Sequence, residues 1–406
     1  MIYYDIPILY IPFKRLNIVK DVFSQIKAIK PQKLYIAQDG ARDDKEKEEL
    51  EKILDFIKEN VDWDCKLNLF KSDKNYGPNL FIYKAINWIF EKEDMGIIVE
   101  EDGFPSLSFF GFSKKLLEKY KDDKSIYAIC GVSAYADENE VNCDYTISNI
   151  TFYPWAFATW RNRWCKFEDF ELKNITSYEF LNKVYKNKQM RNIMLSYANI
   201  LTQNLHQFKD KVTWDLKFRF VMQYNSGYCV FPKQNLIKHL DFDSKHATSF
   251  HVDTWLGDIS KYIDIKEYDF SALIPCKDDS ALIQHCYEFL EKDILFSFIS
   301  DKVYNRIYKI LKNYDSIYIY GAGFFGYVFY NVYMELLKEK LVAFVDDNAG
   351  GKLLDKDIIP LSEARQDIPI FVAVTRVDQI RNIKDKLKSQ RADFIILKDL
   401  IKEALS

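Results

Sequence analysis

The run IIVEEDGFPSLSFF, residues 97–110, sets three carboxylates side by side at the end of an apolar stretch: Glu100, Glu101 and Asp102. Two like unit charges 4 Å apart repel by roughly 4 kcal/mol at an effective dielectric near 20. Three adjacent acids therefore call for a positive partner. Carboxylates at a strand end suit a hard divalent cation, Mg2+ or Mn2+, which takes one or two protein carboxylates and completes its shell with substrate phosphates. A solvated acidic turn is the alternative.

Other short segments carry residues of the same kind. Arg15, in IPFKRLN, can pair bidentately with a phosphate or lie along the surface. Asp39, in IAQDGAR, can accept from a nucleobase N–H or a ribose hydroxyl, or brace a turn before Gly40. Lys74 and Asn75, in SDKNYGPN, sit in a similar turn. Farther on, FYPWAFATWRNRW brings Trp155, Trp160 and Trp164 together with Arg161 and Arg163. Its rings can stack on a sugar or base and its guanidinium groups can hold phosphate, or all can pack as core. Asp215, in TWDLKFR, is a candidate general base or an ion-pair partner for Lys217 and Arg219.

These residues need a scaffold, and the pattern supplies one. IPILYIPF, KLYIAQDG, KLNLFKS and MGIIVEED read as strands; NIVKDVFSQIKAI, KEKEELEKILDFIKENV and NLFIYKAINWIFEKE read as the helices between them. Apolar strands alternating with amphipathic helices predict an α/β domain with a parallel sheet. Ligands bind such sheets beyond the carboxyl ends of the strands, where Arg15, Asp39, Asn75 and the acidic triplet fall.

A second alternation starts near residue 296. SIYIYGAGFFGYVFYNVYMELL reads as strand, glycine turn and helix, and LVAFVDDN as a strand ending in acids. Gly321, Gly323 and Gly326, with Asp346 on the next strand, have the context of a nucleotide-binding fingerprint, the glycines and helix N-terminus for a pyrophosphate and Asp346 for a ribose. A tight packing turn without ligand is the alternative. The expected organisation is 1–257 as the first domain, 258–295 as a connector and 296–406 as a small Rossmann-like domain.

Composition narrows the function classes. The 406 residues carry 57 basic and 60 acidic side chains, a net charge of −3, which argues against a general nucleic-acid-binding surface. The seven cysteines form no CxxC pair, so reduced thiols in a cytoplasmic protein are expected. No signal segment and no membrane span are read.

The order of these pieces (strand plus Arg15, strand plus QDG, NYG plus helix, then VEEDGFPSLSFFGF) resembles the GT-A glycosyltransferases. The resemblance is to the group containing N-acetylglucosaminyltransferase I and bacterial surface-polysaccharide transferases, and it covers roughly residues 5 to 250. It implies a GT-A nucleotide-diphospho-sugar transferase domain with Asp102 on Mn2+ or Mg2+ and Asp215 as the base of an inverting transfer. Arg15, Asp39, Lys74, Asn75, Glu100, Glu101, Trp155 and Trp160 would line the donor site. Glu101 stands where that group has Asp, one methylene shorter. The resemblance also implies a UDP-sugar donor, a glycan or glycolipid acceptor in capsule, lipooligosaccharide or O-antigen synthesis, and a cytoplasmic site, peripheral to the inner membrane. His246 and His251 follow the base segment, where a His joins the metal in some members; His206, His239 and His285 read as structural or surface residues. The C-terminal unit reads as accessory, for nucleotide binding or dimerisation. Two other enzyme classes remain beside this one. A sugar nucleotidyltransferase would carry a Gly-rich basic loop after the first strand, which IPFKRLN lacks. An NAD(P)-dependent sugar-modifying enzyme would need a catalytic couple near GAGFFG. A non-catalytic nucleotide-sugar sensor is a further alternative.

Overall fold

The computed structural model describes residues 4–133, 143–167, 175–202, 213–240, 273–276, 279–280, 282–283, 286, 296–390 and 393–405. The chain falls into two compact units that interleave in sequence. The first is Met1–Glu171 with Thr213–Cys286, and the second is Leu172–Val212 with Tyr287–Ser406. Residues 172–212, read from sequence as part of the first domain, thus pack with the second unit. Both units are α/β. Among the described residues, no helix is long and apolar enough to cross a membrane.

The first unit begins with the expected alternation: β1 Ile8–Ile11, α1 Leu16–Ile29, β2 Lys33–Gln38, α2 Asp44–Asn60, β3 Lys66–Lys71, α3 Gly77–Phe90 and β4 Met95–Glu100. Helix α1 buries Ile18, Val19, Val22, Phe23 and Ile26, one face at helical spacing. Asp43 caps α2 by accepting from the Glu46 N–H at 2.8 Å. A short β5, Gly103–Pro105, follows the acidic triplet, and Ser106 caps α4, Leu107–Lys119. Then come β6 Ile126–Cys130, β7 Tyr145–Ser148, β8 Ala156–Trp160 and the single turn α5 Arg161–Trp164. Helices α6 Tyr178–Val184 and α7 Lys188–Thr202 belong to the second unit. The chain returns to the first with α8 Trp214–Tyr224, β9 Tyr228–Pro232 and β10 Ile237–His239.

The eight-stranded sheet runs β3-β2-β1-β4-β8-β6-β9-β7. Strands β3, β2, β1 and β4 are parallel, and β8 reverses direction against β4. That reversal places Trp160 opposite Met95, where β4 begins, and Ala156 opposite Val99 near its end. Strand β5 pairs with β10, setting Gly103 against His239.

One expectation fails here. Cys143 and Cys276 are joined as a disulfide with Cα atoms 5.2 Å apart, against the reading of reduced thiols only. The pairing depends on chain brought together across 133 residues: Asp144 and Cys276 N–H groups donate to Ile274 and Tyr145 carbonyls. Sequence spacing carries no trace of it.

The second unit continues with α9 Asp301–Lys312, β11 Ile317–Tyr320, α10 Phe324–Val332, α11 Met334–Lys340, β12 Leu341–Val345, β13 Gly351–Leu353, β14 Lys356–Ile359, β15 Ile370–Val372, α12 Val377–Ser389, β16 Phe394–Ile396 and α13 Leu397–Leu405. Its sheet runs β13-β14-β12-β11-β15-β16, parallel except for β13. Taking the parallel strands in chain order gives 3-2-1-4-5, the doubly wound arrangement, with its switch point between β11 and β15.

Candidate functional site

The positive partner of the acidic triplet is Arg15. Its Nε donates to Glu101 Oε2 at 2.5 Å and its Nη2 to Asp102 Oδ2 at 2.7 Å. Glu101 also accepts on Oε1 from the backbone N–H groups of Phe13 and Arg15, at 3.0 and 2.9 Å. Its carboxylate therefore pins the β1–α1 loop to the end of β4. Both carboxylates hold the Arg15 guanidinium charged, raising its pKa against the effect of burial. The donor-site contact of Glu101 and the phosphate contact of Arg15 would be made by groups already tied to one another.

Asp102 has a second neighbour. His239 Nε2 lies 3.5 Å from Asp102 Oδ1, and the Trp155 ring stands edge-on to His239 with centroids 5.0 Å apart. The pairing of β5 with β10 brings this histidine in, helped by the Leu240 N–H donating to the Asp102 carbonyl at 2.8 Å. Gly103 makes the approach possible: a Cβ there would sit 2.1 Å from the Trp155 carbonyl oxygen. Sequence reading set His239 aside as structural. Its signal is a strand pairing between distant segments, which no local spacing reports.

Glu100, the last residue of β4, keeps its Oε1 out of solvent and without a hydrogen-bond partner. Burial pushes its carboxyl well above the ordinary value, and the charges of Asp102 and Asp215 push it further. Asp215, in the first turn of α8, is thus near enough to Glu100 to act on its charge. Burial raises Asp215 too, opposed by hydrogen bonds from the Thr213 side chain and backbone N–H groups and by Arg219. The Trp214 N–H donates to Asn79 Oδ1 at 3.1 Å, which seats the start of α8 on the first turn of α3.

A second group gathers at the ends of β2 and β3. Asp39 is buried and accepts from the Gly40, Tyr76 and Gly77 N–H groups at 2.9 to 3.1 Å. Asn75 Nδ2 donates to the Gly40 carbonyl at 2.8 Å. Asp39 is thus the clamp between the β2 and β3 loops, and both its oxygens face backbone donors. Lys74 and Lys84 each place Nζ 4.8 Å from the Tyr76 ring centroid.

Trp155 and Trp160 separate. Trp155 borders Glu100 and His239, its carbonyl accepting from the Glu100 N–H at 3.1 Å. Trp160 lies at the far end of the sheet beside Met95, so its expected place in the donor site is corrected: an antiparallel β8 carries it away from the carboxylates. Trp164 is core, with its Nε1 donating to Asn87 at 2.6 Å. His246, His251, His206 and His285 lie outside the described residues.

In the second unit, Gly321, Gly323 and Gly326 form the turn from β11 into α10. Gly321 has φ +111°, and a Cβ on Gly326 would meet the Gly321 carbonyl at 2.1 Å. Asp346 Oδ2 accepts from the Ala322 N–H at 3.1 Å, bracing the turn from the end of β12.

No protein-family model matches the chain, and no curated protein matches its sequence. Solved structures match it remotely. A mannosyltransferase from Pyrobaculum calidifontis in complex with GDP-Man and Mn2+ is 11% identical, with a TM-score of 0.30 over 56% of this chain and 70% of that one. HddC from Yersinia pseudotuberculosis is 12% identical, TM-score 0.26, over 41% and 80%. A UDP-glucose pyrophosphorylase complexed with UDP-glucose is 12% identical, TM-score 0.27, over 42% and 82%. Likeness this remote assigns neither an activity nor a residue.

Proposed function

We propose that the first unit is an inverting, metal-dependent glycosyltransferase of the GT-A kind. It takes a nucleotide-diphosphate sugar, a UDP-sugar in the first instance, and passes the sugar to a hydroxyl of a surface glycan or glycolipid at the cytoplasmic face of the inner membrane. The observation that carries this reading is the unpartnered buried Glu100 Oε1 beside the Arg15-held carboxylate of Asp102 at the carboxyl end of β4.

The residues fit a divalent cation. Glu100 Oε1 is a buried oxygen without a partner, and Asp102 and His239 present an oxygen and a nitrogen side by side. Among the described residues, no three His, Cys, Asp or Glu side chains are close enough to cage an ion. Asp102 would hold it, with His239 beside it, and substrate oxygens would complete the shell. When bound, the ion neutralises charge on the leaving diphosphate.

The protein's own groups divide the remaining work. Asp215 takes the proton of the acceptor hydroxyl as its oxygen bonds to the sugar carbon and the bond to the diphosphate breaks. Its raised pKa suits a base that must hold that proton. Arg15 orients Asp102 and adds positive charge on the diphosphate side. Asp39 fixes the turn carrying Lys74 and Asn75 against the nucleotide. The second unit is accessory, binding a nucleotide at its glycine turn or pairing two copies.

The test is release of nucleoside diphosphate from a panel of UDP-, GDP- and CDP-sugars, with Mn2+ or with EDTA. Wild type should release one diphosphate only with metal, and Asp102→Asn and Asp215→Asn should not. Release of pyrophosphate from a nucleoside triphosphate and a sugar phosphate would instead establish nucleotidyl transfer.

A further inference from the structure

We propose that a cleft at the opposite end of the large sheet, beside Trp160, is a second binding site and that it takes a phosphate group. The cleft has a volume of about 210 Å³ and is lined by Asp94, Met95, Lys121, Trp160, Arg161, Asn162 and Arg163. It stands apart from the carboxylate site, since Trp160 pairs with the first residue of β4 and Glu100 is the last.

Two buried groups border it. Arg163 is only 2% exposed. Its Nε donates to the Ile126 carbonyl, Nη1 to the Lys121 carbonyl and Asn162 Oδ1, and Nη2 to the Tyr120 and Asp123 carbonyls, all between 2.7 and 3.1 Å. All five N–H groups are satisfied, yet every partner is neutral. Among the described residues, no carboxylate forms an ion pair with this guanidinium; Asp123 and Asp122 act on it only through space. A buried charge held only by dipoles still favours a counter-ion. Trp160, 3% exposed, lies under the Arg163 guanidinium at 4.2 Å, and its Nε1–H is buried with no acceptor. Such an orphaned donor marks a missing partner.

The rest of the lining points the same way. Lys121, Arg161 and Arg163 bring three positive charges against one from Asp94, a surplus of two. Arg161 is steadied by Asp94 at 3.2 Å and by the Glu93 carbonyl at 3.1 Å. Asn162 Oδ1 is turned to Arg163, which leaves its amide as a donor. The charged side chains of the lining carry a surplus of positive charge, which selects an anionic ligand. A phosphate group offers several oxygens to donors converging from different elements, and the volume admits one with a small substituent. Its source is a soluble phosphate compound or a lipid headgroup.

The experiment titrates inorganic phosphate into the full chain in EDTA, following heat of binding and the unfolding midpoint. In parallel, co-sedimentation is measured with phosphatidylcholine vesicles containing phosphatidylglycerol. Wild type should bind phosphate. Lys121→Gln, at an exposed position, should weaken binding about tenfold, the effect of one lost charge-assisted contact. Trp160→Phe, which keeps the ring and removes the N–H, should weaken it severalfold, and Asp102→Asn should leave it unchanged. Vesicle binding that Lys121→Gln weakens and phosphate competes away assigns the headgroup source. Phosphate binding without vesicle binding assigns the soluble one. No binding of either probe, or binding indifferent to both Lys121→Gln and Trp160→Phe, overturns the proposal.

Discussion

Arg15 Nη2 donates to Asp102 Oδ2 at 2.7 Å, joining residues 87 apart in sequence. The contact turns the plane of the Asp102 carboxylate so that Oδ1 faces His239. It also resolves the repulsion within the triplet, because the same guanidinium holds Glu101. Removing one partner of a partly buried pair strands the other charges. Arg15→Ala should therefore destabilise the first unit by about 3 kcal/mol, read by urea unfolding. Arg15→Lys should recover only part of this, since an ammonium cannot bridge both carboxylates with a fixed fork. Full stability in Arg15→Ala would contradict the arrangement.

Glu100 supplies a pH test. Its folded pKa lies above the ordinary 4.5 because of burial first, then Asp102 and Asp215. A folded state that binds a proton more tightly than the unfolded chain gains stability that is fully present below 4.5 and lost as pH rises through the raised value. Asp215, raised from 3.8, has the same sign. Metal-free wild type should lose stability over this rise, and Glu100→Gln should show a flatter profile and exceed wild type at pH 8. Urea unfolding in EDTA across pH 4 to 9 measures both; parallel profiles would refute it.

Among the described residues, Asp39 accepts from backbone N–H groups alone. In Asp39→Asn an amide must face those donors, so stability should fall by about 2 kcal/mol. Donor KM should rise more than kcat falls, because the turn carrying Lys74 and Asn75 loosens. An unchanged unfolding midpoint would show that the clamp contributes nothing.

Trp155→Phe and Trp160→Phe should part company in steady-state transfer assays. Trp155 borders Glu100 and His239, so its loss should reduce kcat/KM about tenfold, the effect of mispositioned contacts. Trp160, at the other end of β8, should leave transfer unchanged. Equal effects would mean that the antiparallel register of β8 is wrong.

Much of this site was legible because βα alternation is local. Apolar strands and amphipathic helices gave the parallel half of the sheet, and that alone put Arg15, Asp39, Asn75 and Asp102 at one edge. The glycine turn at Gly321 was legible for the same reason. What failed was non-local. Nothing in FYPWAFATW tells that its strand runs backward, yet reversal sends Trp155 and Trp160, five residues apart, to ends separated by about 17 Å at 3.4 Å per residue. His239 reaches Asp102 only through the pairing of β5 with β10. The Cys143–Cys276 link and the sorting of residues 172–212 into the second unit likewise depend on contacts between distant segments.

The measurement that bears most directly on the central claim is the thermal unfolding of wild type and Asp102→Asn with UDP, GDP or CDP, each with and without Mn2+. A ligand at 100 times its dissociation constant stabilises a fold by about 2.7 kcal/mol, a shift readily seen. The account predicts that one diphosphate, UDP first, stabilises wild type only with Mn2+ and that Asp102→Asn abolishes the effect. No stabilisation of wild type by any diphosphate with metal, or an undiminished shift in Asp102→Asn, would contradict it.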